Sequence, residues 1–127
     1  MTTKRWGWLL PAAGWSLLAI WALFKPAGAP SGIPYFDKIG HFALFFVHAV
    51  LLGWGLHRAG FAGFWPRLVW ALLLWGGSSE VLQGLCTPDR SAEWLDFGAD
   101  AVGIAAAYWL LVRSRVVRRL GAAGDSV

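Results

Sequence analysis

The chain has 127 residues, of which 57% are hydrophobic and 10 are tryptophan, and its net charge is +4. Soluble proteins contain about 45–50% apolar residues, and a single domain of this length has too little interior to bury the excess, so much of the apolar surface must face lipid. The basic residues lie between or beyond the apolar runs rather than along one stripe, which argues against nucleic-acid binding. The single cysteine, Cys86, excludes an intramolecular disulfide.

Four apolar runs predict four membrane-spanning helices, over residues of about 6–24, 38–57, 66–86 and 94–113. Each run is close to the ~20 residues that cross about 30 Å of hydrocarbon as a helix. Helices are required because lipid cannot satisfy free backbone groups. The predicted fold is therefore an all-α membrane protein, a four-transmembrane-helix bundle formed by one domain over residues 1–127.

The first run imitates a secretory signal. Lys4 and Arg5 precede it, and Ala27-Gly28-Ala29 follows it as a small-residue cleavage site. The apolar run is longer than a usual signal core, however, and Pro30 would occupy the position just after the cut. We expect an uncleaved anchor.

The basic residues predict the orientation, because Lys and Arg collect in cytoplasmic loops. With four spans, the N-terminus, the loop at 57–67 and the C-terminus share one side. That side holds eight basic residues, namely Lys4, Arg5, Arg58, Arg67, Arg113, Arg115, Arg118 and Arg119. The opposite side holds three, namely Lys25, Lys38 and Arg90. We expect a multi-pass protein of the inner (plasma) membrane with both termini in the cytoplasm.

In this orientation, six of the seven acidic residues fall at the outer membrane face. They are Asp37, Glu80, Asp89, Glu93, Asp96 and Asp100. Four further polar residues join them, namely Lys38, His41, Gln83 and Arg90. A charge at mid-depth costs roughly 2.5–3.5 kcal/mol on insertion scales. These groups are therefore expected to pair with one another or to line a pocket.

Helical spacing predicts which of these groups share a helix face. Residues three or four positions apart are neighbours on a helix surface. The pairs with this spacing are Asp37 and His41, Glu80 and Gln83, and Asp96 and Asp100. Gly103 and Ala107 continue the last stripe with minimal side chains, which permit close helix approach in membranes. Gly76 and Gly77 are expected to do the same on the third helix. His48 continues the stripe of His41 and is expected to be a core residue or to form an interhelical hydrogen bond.

A metal site is the weaker interpretation of the same residues. His41, Glu80, Asp96 and Asp100 could supply one nitrogen and several oxygens, a set suited to Mg, Mn or Zn. No tight ligand motif such as HExxH is present. We assign neither a metal nor any other cofactor from the sequence.

The order of these residues resembles the VanZ-like family of membrane proteins. Asp37-Lys38-Ile39-Gly40-His41 opens the second helix, Glu80-Val81-Leu82-Gln83 ends the third, and Pro88-Asp89-Arg90 precedes Asp96 and Gly103. The family pattern is DKxxH, then ExxQ, then a Pro-x-Arg loop leading to an Asp and a following Asn and Gly. The chain departs from this pattern at Asp100, where the family has Asn.

The resemblance implies both a set of functional positions and a functional class. The positions are Asp37, Lys38, His41, Glu80, Gln83, Arg90 and Asp96. The class is a protein of the bacterial cell envelope, with a link to resistance against glycopeptide antibiotics, teicoplanin in particular. The resemblance implies no particular reaction.

Three functions stay open from the sequence. The first is an outward-facing pocket that binds an envelope component, such as an anionic lipid or a cell-wall precursor. Its ligand-binding residues would be Asp37, Lys38, Gln83, Arg90, Asp96 and Asp100. The second is a membrane-embedded enzyme acting on a lipid-linked or phospholipid head group, with His41 and Glu80 as the candidate general acid/base residues and neither role assigned to either one. The third is a purely structural charge network or an oligomeric transporter. The sequence leaves open whether the chain is an enzyme and what its oligomeric state is.

Overall fold

The computed structural model describes residues 5–25, 32–86 and 93–125, with side chains as far as residue 113. The described residues form helices and no strands. A 3₁₀ helix, Trp6–Leu9, leads into α1, Leu10–Phe24. The following helices are α2, Phe36–Ala59, α3, Trp65–Cys86, and α4, Trp94–Asp125. The all-α prediction is confirmed.

Within the described part of the chain, three segments are long and apolar enough to cross a membrane, by length and composition. They are Trp6–Phe24, Phe36–Ala59 and Trp94–Arg113. The 22-residue α3 is not among them, because its second half carries Ser78, Ser79, Glu80 and Gln83. The helix boundaries agree with the predicted spans except at the end of α4, which continues from the predicted end near residue 113 to Asp125. That extension contains three Arg, two Ala and one Leu, which are strong helix formers.

The local sequence explains how α1 begins and how α2 ends. Pro11 stands in the first turn of α1, where its missing N–H would have no partner anyway. Helix α2 is followed by Gly60, whose φ of 99° lies in the left-handed region that glycine adopts readily and that ends the helix. The N–H of Phe61 then donates to the Leu56 carbonyl at 3.0 Å. The short turn at 60–64 therefore returns the chain directly into α3.

Contacts between the helices define two ends of the bundle. At one end, Gln83 near the end of α3 donates its amide N–H to the carbonyl of Leu23 in α1. At the same end, Lys38 at the start of α2 contacts Glu93 just before α4. We call this end the polar end. At the opposite end, Gly55 near the end of α2 packs against the backbone of Trp8. Sequential helices therefore run in alternating directions.

The closest helix pair is α2 with α4. A Cβ atom at Gly103 would lie 2.5 Å from the Phe42 carbonyl oxygen and 3.0 Å from the Phe46 nitrogen. Only glycine allows this approach, and Ala107 one turn later is fully buried, so the predicted small-residue stripe does pack inward. The apolar core around it contains Phe45, Ala49, Leu72, Ile104 and Ala107. Large apolar side chains are also exposed on the outside of the bundle, including Leu17, Trp70, Leu74, Leu95 and Trp109.

Candidate functional site

Lys38 organises the outer layer of the polar end. Its Nζ atom lies 2.8 Å from Asp37 Oδ2, 2.7 Å from Glu93 Oε2 and 3.1 Å from Asp96 Oδ1. An ammonium group has three N–H donors, so these three carboxylates occupy all of them. Lys38 therefore has no donor left for a ligand in this arrangement.

His41 organises the inner layer, one turn deeper along α2. Its Nδ1 atom lies 2.8 Å from Asp100 Oδ1. Its Nε2 atom lies 3.6 Å from Asp96 Oδ2, which is longer than a hydrogen bond. All three residues are buried, and Asp100 has no exposed surface. The histidine is thus held through one nitrogen while the other faces a carboxylate without bonding to it.

Glu80 reaches the same layer from α3. Its Oε1 atom accepts the backbone N–H of Glu93, the residue before α4 begins. A carboxylate is favoured there by the positive end of the helix dipole. This accounts for the position of Oε1. The side chain is only 3% exposed, yet Oε2 has no hydrogen-bond partner among the described residues.

A second buried oxygen in this layer is also unpartnered. Asp100 Oδ2 has no hydrogen-bond partner within the described part of the chain, and it packs beside Gly76. Leaving a buried polar group unsatisfied costs about 1–3 kcal/mol, and more when the group is charged. A network that existed only to hold the helices together would not be expected to leave two carboxylate oxygens in this state.

Three inner side chains converge on one small volume. His41, Glu80 and Asp96 each offer an atom within 4.8 Å of the atoms offered by the other two. All three are buried. They come from three different helices, so only the tertiary fold brings them together. We call His41, Glu80 and Asp96 the inner triad.

The charges at the polar end are unbalanced. The described carboxylates are Asp37, Glu80, Glu93, Asp96 and Asp100. Against these five, the carboxylate cluster contains one ammonium, on Lys38, and one imidazole, on His41, while the other described cation at this end, Lys25, lies over the Trp21 ring. Hydrogen-bond acceptors therefore outnumber donors. The arrangement suits a group that brings positive charge or N–H and O–H donors, and among the described residues it offers little to a bare anion.

Most of the predicted site residues meet at the polar end, but Gln83 makes a different contact. Asp37, Lys38, His41, Glu80, Asp96 and Asp100 contact one another directly or through Glu93, while the Gln83 amide N–H donates to Leu23 on α1 at 2.6 Å. Gln83 is buried and ties α3 to α1. Its predicted role in ligand binding stays a prediction. Arg90 lies outside the described residues, as does Asp89.

Sequence reasoning omitted Glu93 from the site. The structure gives it two contacts, through its carboxylate to Lys38 and through its backbone N–H to Glu80. The usable signal was its position three residues before Asp96, at the start of an apolar helix, where a first-turn acid is favoured. The sequence places it among the acids of the outer face but indicates no role for it in the site.

A separate polar pair lies deeper in the bundle. His48 is buried, and its Nε2 atom lies 2.9 Å from the Ser16 hydroxyl on α1. The same hydroxyl donates to the Ala12 carbonyl at 2.9 Å. His48 therefore makes an interhelical hydrogen bond, one of the two roles predicted for it, and is not part of the inner triad.

An apolar cleft of about 400 Å³ lies between α3 and α4. Its walls include Val69, Trp70, Leu73, Ala105 and Tyr108. Ala101 also lines it and directly follows Asp100 in the chain. On α3 the lining extends only from Trp65 to Leu73, so the cleft lies mainly toward the end of the bundle opposite the polar end and comes nearest to the polar end at Ala101 and Leu73.

Comparison of the chain with models of known protein families, with curated proteins and with solved structures finds no match. The resemblance to the VanZ-like family therefore depends on the ordered motifs alone.

Proposed function

We propose that the chain is a four-span, VanZ-like protein of the bacterial inner membrane whose polar end binds the head group of an envelope component at the outer face. The observation that carries this proposal is the pair of buried carboxylate oxygens, on Glu80 and Asp100, that lack partners among residues 5–25, 32–86 and 93–113. Buried polar groups in proteins are nearly always hydrogen-bonded. A ligand that supplies the missing partners accounts for both.

The charge of the polar end defines the chemistry of the proposed ligand. Because acceptors exceed donors, the part of the head group that enters the cluster carries N–H or O–H donors or a positive charge. Amide, hydroxyl and ammonium groups meet this requirement. In this proposal Arg90 holds a phosphate or carboxylate of the same molecule, since its planar guanidinium forms two parallel bonds to such groups.

The apolar cleft favours a lipid-linked ligand over a soluble one. It runs along α3 and α4 from Leu73 and Ala101 toward the end of the bundle opposite the polar end. In this proposal an acyl chain reaches down into the cleft while its head group lies at the polar end. A link with glycopeptide resistance, which the VanZ-like resemblance suggests, would follow if the bound component is part of cell-wall synthesis.

The four-span topology belongs to the same proposal. At 22 residues, α3 is about 33 Å long at 1.5 Å per residue, which is enough to cross the hydrocarbon layer. Three of the four polar residues in its second half, Ser79, Glu80 and Gln83, are buried, whereas Ser78 is exposed. The excess of basic residues at the opposite end and in both tails supports cytoplasmic termini.

A second candidate function is a membrane-embedded enzyme that modifies a lipid-linked head group. The contact between His41 and Asp100 favours it, because a carboxylate that holds one imidazole nitrogen orients the other for proton transfer. In this reading His41 is the general base and Glu80 the general acid.

Lipid retention tests the proposal. The full chain is purified in detergent, incubated with a polar-lipid extract of bacterial membranes, washed, and analysed for bound lipid by mass spectrometry. The wild type is expected to retain one lipid class at about one molecule per chain, and Glu80→Gln to retain at least tenfold less. The matched control is Ser78→Ala, an exposed position on the same helix. Equal retention by the wild type and Glu80→Gln would overturn the proposal.

The same experiment separates the enzyme from the binding protein. Conversion of the retained lipid by the wild type, together with loss of conversion in His41→Gln, would favour the enzyme. Retention of unchanged lipid would favour the binding protein.

A further inference from the structure

We infer that the inner triad is a binding site for one divalent metal cation that accepts a nitrogen ligand, such as Zn²⁺ or Mn²⁺. The ligands are His41 Nε2, Glu80 Oε2 and Asp96 Oδ2. This inference deepens the proposed function, since the ion would form the floor of the head-group pocket. Ion binding itself is measurable without any lipid.

Each triad residue has one atom fixed by a neighbour and one atom left over. His41 is held at Nδ1 by Asp100, Asp96 at Oδ1 by Lys38, and Glu80 at Oε1 by the N–H of Glu93. Of the remaining atoms, Glu80 Oε2 has no hydrogen-bond partner among the described residues, and His41 Nε2 and Asp96 Oδ2 lie 3.6 Å apart, too far for a hydrogen bond to each other. Metal ligands typically show this pattern, in which an outer partner fixes the side chain and turns its other donor atom to the ion.

The spacing of the free atoms fits a shared ion. His41 Nε2 and Asp96 Oδ2 are 3.6 Å apart. Two ligands at about 2.1 Å from a tetrahedral ion are about 3.4 Å from each other. The separation is too long for a hydrogen bond and close to the value that a common ion requires. Glu80 offers a carboxylate oxygen within 4.8 Å of a ligand atom on each of the other two residues.

The donor set indicates the class of ion. An imidazole nitrogen suits Zn²⁺ and Mn²⁺, whereas Mg²⁺ and Ca²⁺ prefer sites made of oxygen alone. Three protein ligands leave at least one position open on a four-coordinate ion. An oxygen of the head group would fill that position. The ion also offsets the excess of carboxylates at the polar end. In this assignment His41 and Glu80 are metal ligands and do not act as the general base and acid.

A second acidic group at the polar end is the competing location for an ion. Asp37, Glu93 and Asp96 also offer oxygens within 4.8 Å of one another, but Asp37 and Glu93 are exposed. Lys38 already contacts all three of these residues and neutralises part of their charge. This outer group has neither a nitrogen ligand nor a buried oxygen without a partner, so the inner triad is the better site.

The experiment uses the full chain in detergent, stripped with a chelator and titrated with Zn²⁺ by calorimetry. We expect one ion per chain in the wild type. Glu80→Gln and His41→Gln are expected to weaken binding at least tenfold, and Asp100→Asn to weaken it by about 10- to 100-fold because it changes the group that orients the histidine. Circular dichroism and gel filtration report whether each variant folds.

Two control variants locate the ion. His48→Gln alters a buried histidine on the same helix outside the triad, and Glu93→Gln alters the exposed acidic group while keeping its backbone N–H. Both are expected to bind Zn²⁺ within about twofold of the wild type. Loss of binding in Glu93→Gln with retention in Glu80→Gln would move the ion to the exposed group and overturn the inference.

Spectroscopy gives a test that needs no variant. With Mn²⁺ bound to the wild type, pulsed paramagnetic resonance is expected to show coupling to one imidazole nitrogen. Absence of saturable Zn²⁺ and Mn²⁺ binding in the folded wild type, or Mn²⁺ without nitrogen coupling, would overturn the inference.

Lipid retention in chelator distinguishes the inference from the proposed function. If the wild type retains its lipid fully in chelator and also fails to bind Zn²⁺ in the titration, the head-group proposal is sustained and the ion site is rejected. Saturable ion binding without any retained lipid class would sustain the ion site and reject the head-group proposal.

Discussion

The Nδ1 atom of His41 lies 2.8 Å from Oδ1 of Asp100, and this contact joins α2 to α4 inside the polar end. A carboxylate can only accept, so the imidazole donates from Nδ1 and, when neutral, keeps its lone pair on Nε2. The lone pair then faces Asp96 and Glu80. Asp100 thus decides which histidine nitrogen is available to a ligand, although it does not belong to the inner triad.

The close crossing of α2 and α4 gives a first prediction. Gly103→Ala places a Cβ against the Phe42 carbonyl at 2.5 Å, where backbone rather than a flexible side chain must move. We expect a loss of about 1–3 kcal/mol in the free energy of unfolding, measured by denaturant titration in detergent. Gly98→Ala on the same helix is the control, because its Cβ would meet nothing within 4 Å. Equal stability of the two variants would contradict the close crossing.

The deeper polar pair gives a second prediction. Ser16→Ala removes the hydroxyl that contacts His48 and is expected to lower the free energy of unfolding by about 0.5–1.5 kcal/mol. Zn²⁺ binding should stay within about twofold of the wild type, because this pair is separate from the inner triad. Ser78→Ala, at an exposed position, is the stability control. If Ser16→Ala abolished Zn²⁺ binding, the separation between the two polar groups would be wrong.

Topology gives a third prediction, for which the chain supplies its own probe. Cys86 is exposed at the polar end of α3, and Ala62 lies in the turn before α3 begins. In spheroplasts, a membrane-impermeant maleimide should label Cys86 in the wild type. The double variant Cys86→Ser, Ala62→Cys should be labelled only after permeabilisation. Labelling of both positions from the same side would exclude α3 as a span, and the reverse pattern would invert the orientation.

Much of the fold could be predicted from apolar run length, because lipid restricts a spanning segment to one regular structure. The small-residue stripe was also predictable, since Gly103 and Ala107 share one helix face with Asp100. The end of α4 was not, because the prediction stopped where the arginines begin, whereas helix propensity continues through them. Confining the prediction to the membrane thickness therefore shortened the helix.

The membership of the candidate site was predictable in part. Because the acids fall on one side of the predicted membrane, the sequence predicted that the charged residues there belong to one site. They are Asp37, Lys38, His41, Glu80, Asp96 and Asp100. The partner of each atom was not predictable, because it depends on how α2, α3 and α4 are rotated about their axes. Gln83 shows this, since its spacing from Glu80 put it in the site while its amide bonds to α1.

The central claim is that the inner triad is built to bind a ligand rather than to hold the helices together. Thermal unfolding of Glu80→Gln, compared with the wild type after chelator treatment, tests it most directly. The glutamine oxygen can still accept the Glu93 N–H, while the unpaired buried charge is removed. We predict that the variant unfolds at the same temperature as the wild type or at a higher one, and that its free energy of unfolding is greater by up to about 1–3 kcal/mol. We also predict that it loses Zn²⁺ binding. A clearly lower unfolding temperature would contradict the account and identify Glu80 as a structural residue.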